Sequence, residues 1–191
     1  MLSSMLVAAL HRKYWKPIQT GATEGTDRET VMKWVGIPLE QTCPECYLFG
    51  PAVSPHLAAQ WDGTVIDMSR IERPATTDAL IIEGAGGVYV PVNDGAFMLD
   101  LMVQLQAPAV VASRTALGTI NHTVLTVSAI RNAGVEVRGV VMIGEENPDN
   151  CRAVERYGNV PVIGSIPRLG QINRTTLCRV FEKQFDRRAF Q

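Results

Sequence analysis

The chain has 191 residues, of which 46% are hydrophobic and 19% charged. That is enough for one domain with a substantial core, and it excludes a disordered or highly charged protein. With 18 Lys+Arg against 19 Asp+Glu the net charge is −1, which argues against a nucleic-acid partner, and no apolar run approaches the roughly 18 residues of a membrane span.

Short apolar runs alternate with helical patterns, without repeats, low-complexity segments or a linker. All of residues 1–191 therefore read as a single domain. Leu2, Met5, Leu6, Ala9 and Leu10 fall at helical spacing, giving an amphipathic helix over 2–11. Its basic residues His11, Arg12 and Lys13 follow the apolar stretch, the reverse of a secretory signal. A strand over 14–17 ends at Pro17. Asp27–Val35 is a helix closed by Gly36 and Pro38. Residues 47–49 read as a strand, and 55–60 as a helix with Ser54 as cap and Pro55 in its first turn. The run 79–83, Ala-Leu-Ile-Ile-Glu, is the clearest strand, and its unbroken apolar character predicts burial on both faces. A helix over 97–105 and a strand over 109–112 follow. After them come a helix over Thr119–Asn132, a strand over Val137–Ile143, a helix over 149–157, a strand over 160–166 and a last helix over 175–185. This alternation predicts an α/β fold, a mostly parallel sheet with helices on both faces. Ligands of such sheets bind beyond the carboxyl ends of strands.

The cysteines are Cys43, Cys46, Cys151 and Cys178. A single Cys-Pro-Glu-Cys run with no second pair falls short of a four-ligand zinc site. Metal or redox use and incidental loop thiols both remain readings, and the unpatterned set suits the reducing cytosol.

Lys16 ends a strand and precedes a proline, so it is either a cation for an anionic ligand or a solvated edge lysine. Glu83 closes an apolar strand and precedes Gly84-Ala85-Gly86-Gly87. A carboxylate there needs a partner, and the glycines let backbone N–H groups approach an anion. A Mg²⁺–nucleotide constellation and a tight surface turn are the alternatives. Asp27 reads as a helix cap or a metal ligand. Gly118 precedes a helix whose first N–H groups suit a carboxylate or phosphate. Thr119 reads as a cap and His122 as structural.

The stretches YWKPIQTG (14–21), SPHLAA (54–59), IIEGAGGVYVPVN (81–93), SRTALGTINHTVLT (113–126), RGVVMIG (138–144) and VIGSIPRL (162–169) together resemble the dethiobiotin synthetase family, in order and over nearly the whole chain. EGAGG alone also occurs in P-loop proteins that make cobyrinate diamide, whereas KPIQTG with SPH and LGTINH is more specific. The resemblance implies a P-loop NTPase-like fold. It also implies an ATP- and Mg²⁺-dependent ligase of biotin biosynthesis that carboxylates diaminopelargonate with CO₂ and closes the ureido ring, in a cytoplasmic homodimer. By the same resemblance Lys16 is the catalytic lysine and Thr20 touches the substrate near its amines. Asp27 and Glu83 hold Mg²⁺, directly or through water, and Glu83, Gly84, Ala85 and Gly86 line the nucleotide. Gly118, Thr119, Ile120 and Asn121 receive the substrate carboxylate from the partner subunit. Pro167, Arg168 and Leu169 lie against adenine.

Two departures stand out. Ile143-Gly144 occupy the place where some family members carry an adenine-reading Asn-Asp, which puts base selectivity in doubt. The family also begins with a strand and a GxxxxGK[ST] loop, and the sequence opens instead on residues resembling the helix after that loop. The expectation is a chain lacking that strand and loop, with little or no turnover as written. A non-catalytic remnant that binds substrate or nucleotide is the alternative from another class, and a cobyrinate-type amide-forming ATPase is a third.

Overall fold

A computed structural model describes residues 1–190. The chain divides near Leu105 into two compact units. Among the described residues no helix is long and apolar enough to cross a membrane.

The first unit opens with α1 (Leu2–Leu10), which buries the consecutive residues Ser4, Met5, Leu6, Val7 and Ala8. The expected stripe on Leu2, Met5, Leu6, Ala9 and Leu10 is thus corrected, because a helix apolar all round is covered all round. The strand expected over 14–17 is split. β1 (Lys13–Trp15) stops short of Pro17, which has no N–H and restrains the residue before it, and β2 (Ile18–Gln19) resumes beyond. The Pro17 carbonyl accepts instead from the N–H groups of Cys46 (2.8 Å) and Tyr47 (3.1 Å).

Helix α2 (Asp27–Val35) has the expected bounds, but its cap is Thr26. Thr26 Oγ1 accepts the Glu29 N–H at 3.1 Å, and Glu29 Oε2 accepts the Thr26 N–H at 2.8 Å. This reciprocal pair satisfies the free donors at the helix start. Asp27 becomes the first residue inside the helix.

β3 (Thr42–Cys43), β4 (Tyr47–Leu48) and α3 (Pro55–Trp61) follow. The side chain of Ser54 makes no capping bond and pairs with His56 Nδ1 at 3.1 Å. β5 (Leu80–Ile82) pairs in parallel with β1, Tyr14 opposite Ile81 and Trp15 opposite Ile82, and β1 pairs in parallel with β3. All three β5 residues are only half-buried, contrary to the expected double burial. β5 is bonded to β1 alone, so its other edge carries no strand among the described residues.

An unexpected antiparallel hairpin, β6 (Pro91–Asn93) and β7 (Ala96–Phe97), leads into α4 (Met98–Leu105). Phe97, expected as the first helical residue, closes the hairpin. Trp15, Ile18, Phe49, Ile66, Val92 and Leu101 belong to the core of this unit.

In the second unit β8 (Ala109–Arg114), β9 (Val137–Ile143) and β10 (Val162–Ile166) form a parallel sheet with β9 central. α5 (Thr119–Asn132), α6 (Pro148–Gly158) and α7 (Arg174–Gln184) alternate with these strands. The expected alternation thus holds, with β8 running two residues longer and β10 starting two later than anticipated. Asn147 caps α6 and Asn173 caps α7, accepting the N–H groups of Asn150 (3.0 Å) and Thr176 (2.9 Å). Central β9 buries Val140, Val141 and Met142 almost completely, as expected of a parallel strand with neighbours on both edges.

Candidate functional site

The end of strand β1 and the residue after it present three consecutive residues with different roles. Trp15 packs in the core, and its backbone carbonyl accepts the Glu83 N–H at 2.8 Å. Tyr14 precedes it in the strand, and Lys16 follows directly after the strand's end. The Tyr14 hydroxyl donates to Glu83 Oε2 at 3.1 Å. The Lys16 ammonium pairs with Asp27 Oδ2, the lysine side chain being 10% exposed and the aspartate 42%. Glu83 and Asp27, separated by 56 positions in sequence (83 − 27), are therefore both tied to one short strand and the residue that follows it.

Lys16 is nearly buried, which excludes the solvated-edge reading. The Asp27 carboxylate offsets the cost of burying the ammonium, and a cation so placed favours charge developing on a transferred group. Tyr14 is pushed far above the usual phenol range, first by burial and then by the Glu83 charge. It therefore stays a hydrogen-bond donor at physiological pH.

Asp27 sits in the first turn of α2, where its charge favours the helix dipole. Its N–H donates to Gln19 Oε1 at 3.0 Å, and Gln19 Nε2 donates to the Thr20 carbonyl at 2.6 Å. Gln19, 4% exposed, thus fixes the start of α2 and the half-buried Thr20 together. Beside Asp27, Arg28 Nη2 meets Glu45 Oε2 at 3.1 Å, joining α2 to the Cys-Pro-Glu-Cys loop. Tyr14, Gln19 and Glu45 were not singled out in the sequence. Only a buried polar group between strong strand signals could have hinted at them.

Glu83 leads into Gly84, Ala85 and Gly86. Gly86 has φ +81°, and a Cβ there would lie 2.8 Å from Val90 Cγ2. Glycine is needed for both reasons, and it leaves the turn's backbone open to close approach. Ala85 is buried while Gly84 and Gly86 are exposed.

The donor set suits a hard divalent cation. Asp27 and Glu83 each have one carboxylate oxygen engaged by a protein donor, leaving the second of each for a metal or its waters. Mg²⁺ commonly takes one or two carboxylates and keeps water and phosphate oxygens for the rest. Among the described residues no cluster of three or more His, Cys, Asp or Glu side chains forms a closed metal site. All four cysteines are free thiols.

In the second unit, Gly118 (φ 91°) caps α5 and Thr119 is the first helical residue, which corrects the cap assigned to Thr119. The Thr119 hydroxyl lies 2.7 Å from Ser113 Oγ, which is itself 2.5 Å from Thr123 Oγ1. This buried hydroxyl cluster ties the end of β8 to the first turn of α5. Ile120 is half-buried, and Asn121 and His122 are exposed, so His122 is no core residue. Pro167 and Arg168 are exposed beyond β10, with Leu169 half-buried. Arg168 Nη2 stands 3.7 Å from Glu145 Oε1 across solvent. Gly144 has φ +134°, and a Cβ there would lie 2.4 Å from Thr115 Oγ1. The Ile143-Gly144 departure therefore leaves no room for a side chain at position 144 in this conformation.

An AAA domain family profile matches residues 1–176. The ATP-dependent dethiobiotin synthetase of Paramagnetospirillum magneticum is 44% identical over 177 residues, 93% of this chain and 85% of the relative. That of Novosphingobium aromaticivorans is 39% identical over 185 residues, 97% of this chain and 89% of the relative. That of Rhodopseudomonas palustris strain BisB18 is 38% identical over 190 residues, 100% of this chain and 91% of the relative.

Proposed function

The chain belongs to the dethiobiotin synthetase family of ATP-dependent ligases, and we propose that it carboxylates diaminopelargonate with CO₂ and closes the ureido ring, using ATP and Mg²⁺. In this reading a carbamate formed on one substrate amine attacks the γ-phosphorus of ATP and ADP leaves. The second amine then attacks the carbamoyl carbon and phosphate leaves. Lys16 carries the chemistry. Its ammonium, held by Asp27, stabilises charge on the oxygens of the group in transfer, a step that depends mainly on positioning and electrostatics.

Thr20 contacts the substrate near its amines, supported by the Gln19 clamp on its backbone. Asp27 and Glu83 hold Mg²⁺, which when bound neutralises phosphate charge. The Glu83–Gly86 turn lines the nucleotide. Gly118, Thr119, Ile120 and Asn121 receive the substrate carboxylate at the start of α5, where helix N–H groups lack intrahelical acceptors. Pro167, Arg168 and Leu169 lie against the base, and the bare Gly144 beside them supports loose base selectivity. The exposed apolar side chains Leu117 and Leu125, beside and on α5, support a homodimer. The free thiols support a cytoplasmic setting.

The observation that carries this reading is the nearly buried Lys16–Asp27 pair, next in sequence to the two residues that bind Glu83. The test supplies the protein with a family-type strand and GxxxxGK[ST] loop at its N-terminus, incubates it with diaminopelargonate, bicarbonate, ATP and Mg²⁺, and looks for dethiobiotin by mass spectrometry. Product that is lost in Lys16→Ala is the expected outcome. Binding of diaminopelargonate by calorimetry with no product, or product unchanged in Lys16→Ala, overturns the assignment.

A further inference from the structure

We propose that Tyr14 is a positioning residue for Glu83, its buried hydroxyl fixing one carboxylate oxygen so that the other stays free for a divalent cation. The inference rests on the reading of Glu83 as a metal-binding carboxylate.

Tyr14 is 0% exposed, and the bond from its hydroxyl to Glu83 Oε2 spans 3.1 Å across 69 positions of sequence. An ionised carboxylate only accepts, so the phenol is the donor. A buried ring at this place needs no hydroxyl to fill the core. Burying one is costly unless it is bonded, and the partner here is a carboxylate rather than a backbone group.

The main chain of Glu83 is held as well, through its N–H on the Trp15 carbonyl at 2.8 Å. The next residue, Lys16, holds Asp27. Three consecutive residues, the last two of β1 and the one after it, thus fix, in order, the Glu83 side chain, the Glu83 backbone and the Asp27 carboxylate. The β1–β5 register sets this, with Trp15 opposite Ile82 and Glu83 one residue on. Partners outside a metal's ligands orient those ligands and tune affinity.

Tyr14→Phe removes the hydroxyl and keeps the ring. With Mn²⁺ as probe and ATP present, electron paramagnetic resonance reads bound metal directly. We expect Mn²⁺ binding about tenfold weaker in Tyr14→Phe, weaker also in Glu83→Gln, and no weaker in the double variant than in Glu83→Gln alone. A crystal structure of Tyr14→Phe should show the Glu83 carboxylate in a new or divided position. Unchanged Mn²⁺ affinity in Tyr14→Phe, additive losses in the double variant, or an unmoved Glu83 each overturns the proposal while leaving the metal reading intact. Unchanged binding in Glu83→Gln, or no Mn²⁺ binding by the unaltered protein, overturns the metal reading and this inference with it. A Tyr14→Phe protein that fails to fold shows the hydroxyl to be a stability element and overturns the positioning role.

Discussion

Replacing either member of the Lys16–Asp27 pair removes the same ion pair, yet the two replacements should have opposite signatures. At about 4 Å and an effective dielectric of about 20, two unit charges attract by about 4 kcal/mol. Asp27 is 42% exposed, so water screens much of this, and a net value of about 2 kcal/mol is reasonable. Lys16→Met keeps a stem of similar length and removes the desolvated charge along with the pair. The Asp27 carboxylate left behind can take water, so stability should change by less than about 1 kcal/mol. Asp27→Ala strands an ammonium that is 10% exposed, which costs about 2 to 3 kcal/mol, and loses about 0.5 kcal/mol of charge–dipole interaction at the start of α2.

Urea unfolding of the three proteins measures the asymmetry, and dethiobiotin formation by their forms carrying the N-terminal strand and loop measures the second signature. Lys16→Met should fold as well as the parent and lose about a hundredfold or more of turnover, as expected when one donor to developing charge is removed. Equal destabilisation by the two variants would refute the argument from unequal burial. A stable Lys16→Met protein with near-normal turnover would remove Lys16 from the chemistry.

Thr26→Ala should cost about 1 kcal/mol in urea unfolding, because it opens the reciprocal Thr26–Glu29 cap of α2. Thr123→Val leaves the buried Ser113 hydroxyl short of a partner and should cost about 1 to 3 kcal/mol, with most of it recovered in Thr123→Ser; equal losses in both would mean that shape, not the hydroxyl, matters. Gly164→Ala would set a Cβ 2.5 Å from the Phe185 ring, and should lower stability by about 1 to 3 kcal/mol, read as an earlier thermal midpoint. Burial pushes the Cys43 thiol up despite a partial lowering by Lys13. The thiolate is the reactive form, so Cys43 should alkylate more slowly than free cysteine at pH 8 and accelerate only as pH rises further. Alkylation at the free-cysteine rate would contradict this.

Lys16, Asp27 and Glu83 stood out in the sequence because each is a charged residue at an element boundary: a lysine after a strand, an acid at a helix start, an acid closing an apolar run. The bounds of α2, α5 and β9 were legible for a related reason, since glycine and capping residues stand at their ends. The hairpin β6–β7 has a sequence signal in Asp94-Gly95, and Pro91 stands at its first strand position, where a proline is tolerated. Tyr14 carried no signal, because a tyrosine in a strand reads as core and its partner lies 69 positions away. Gln19 and the Ser113–Thr123 contact were hidden likewise: each depends on how one element lies against another.

The same distinction bears on why the first unit keeps costly groups. A lysine 10% exposed, a phenol 0% exposed and the Glu45 side chain, 4% exposed with Oε1 lacking a hydrogen-bond partner, each cost stability that an apolar residue would not. Two of the three groups bind a proposed cation ligand directly, and Glu45 holds Arg28, the sequence neighbour of Asp27. A fold selected for stability alone would replace them with leucine, phenylalanine and methionine. Their concentration on β1 and the segments bonded to it is the pattern expected when local consistency is given up for function. Stabilising substitutions should therefore be easy to find at these positions and should lower turnover.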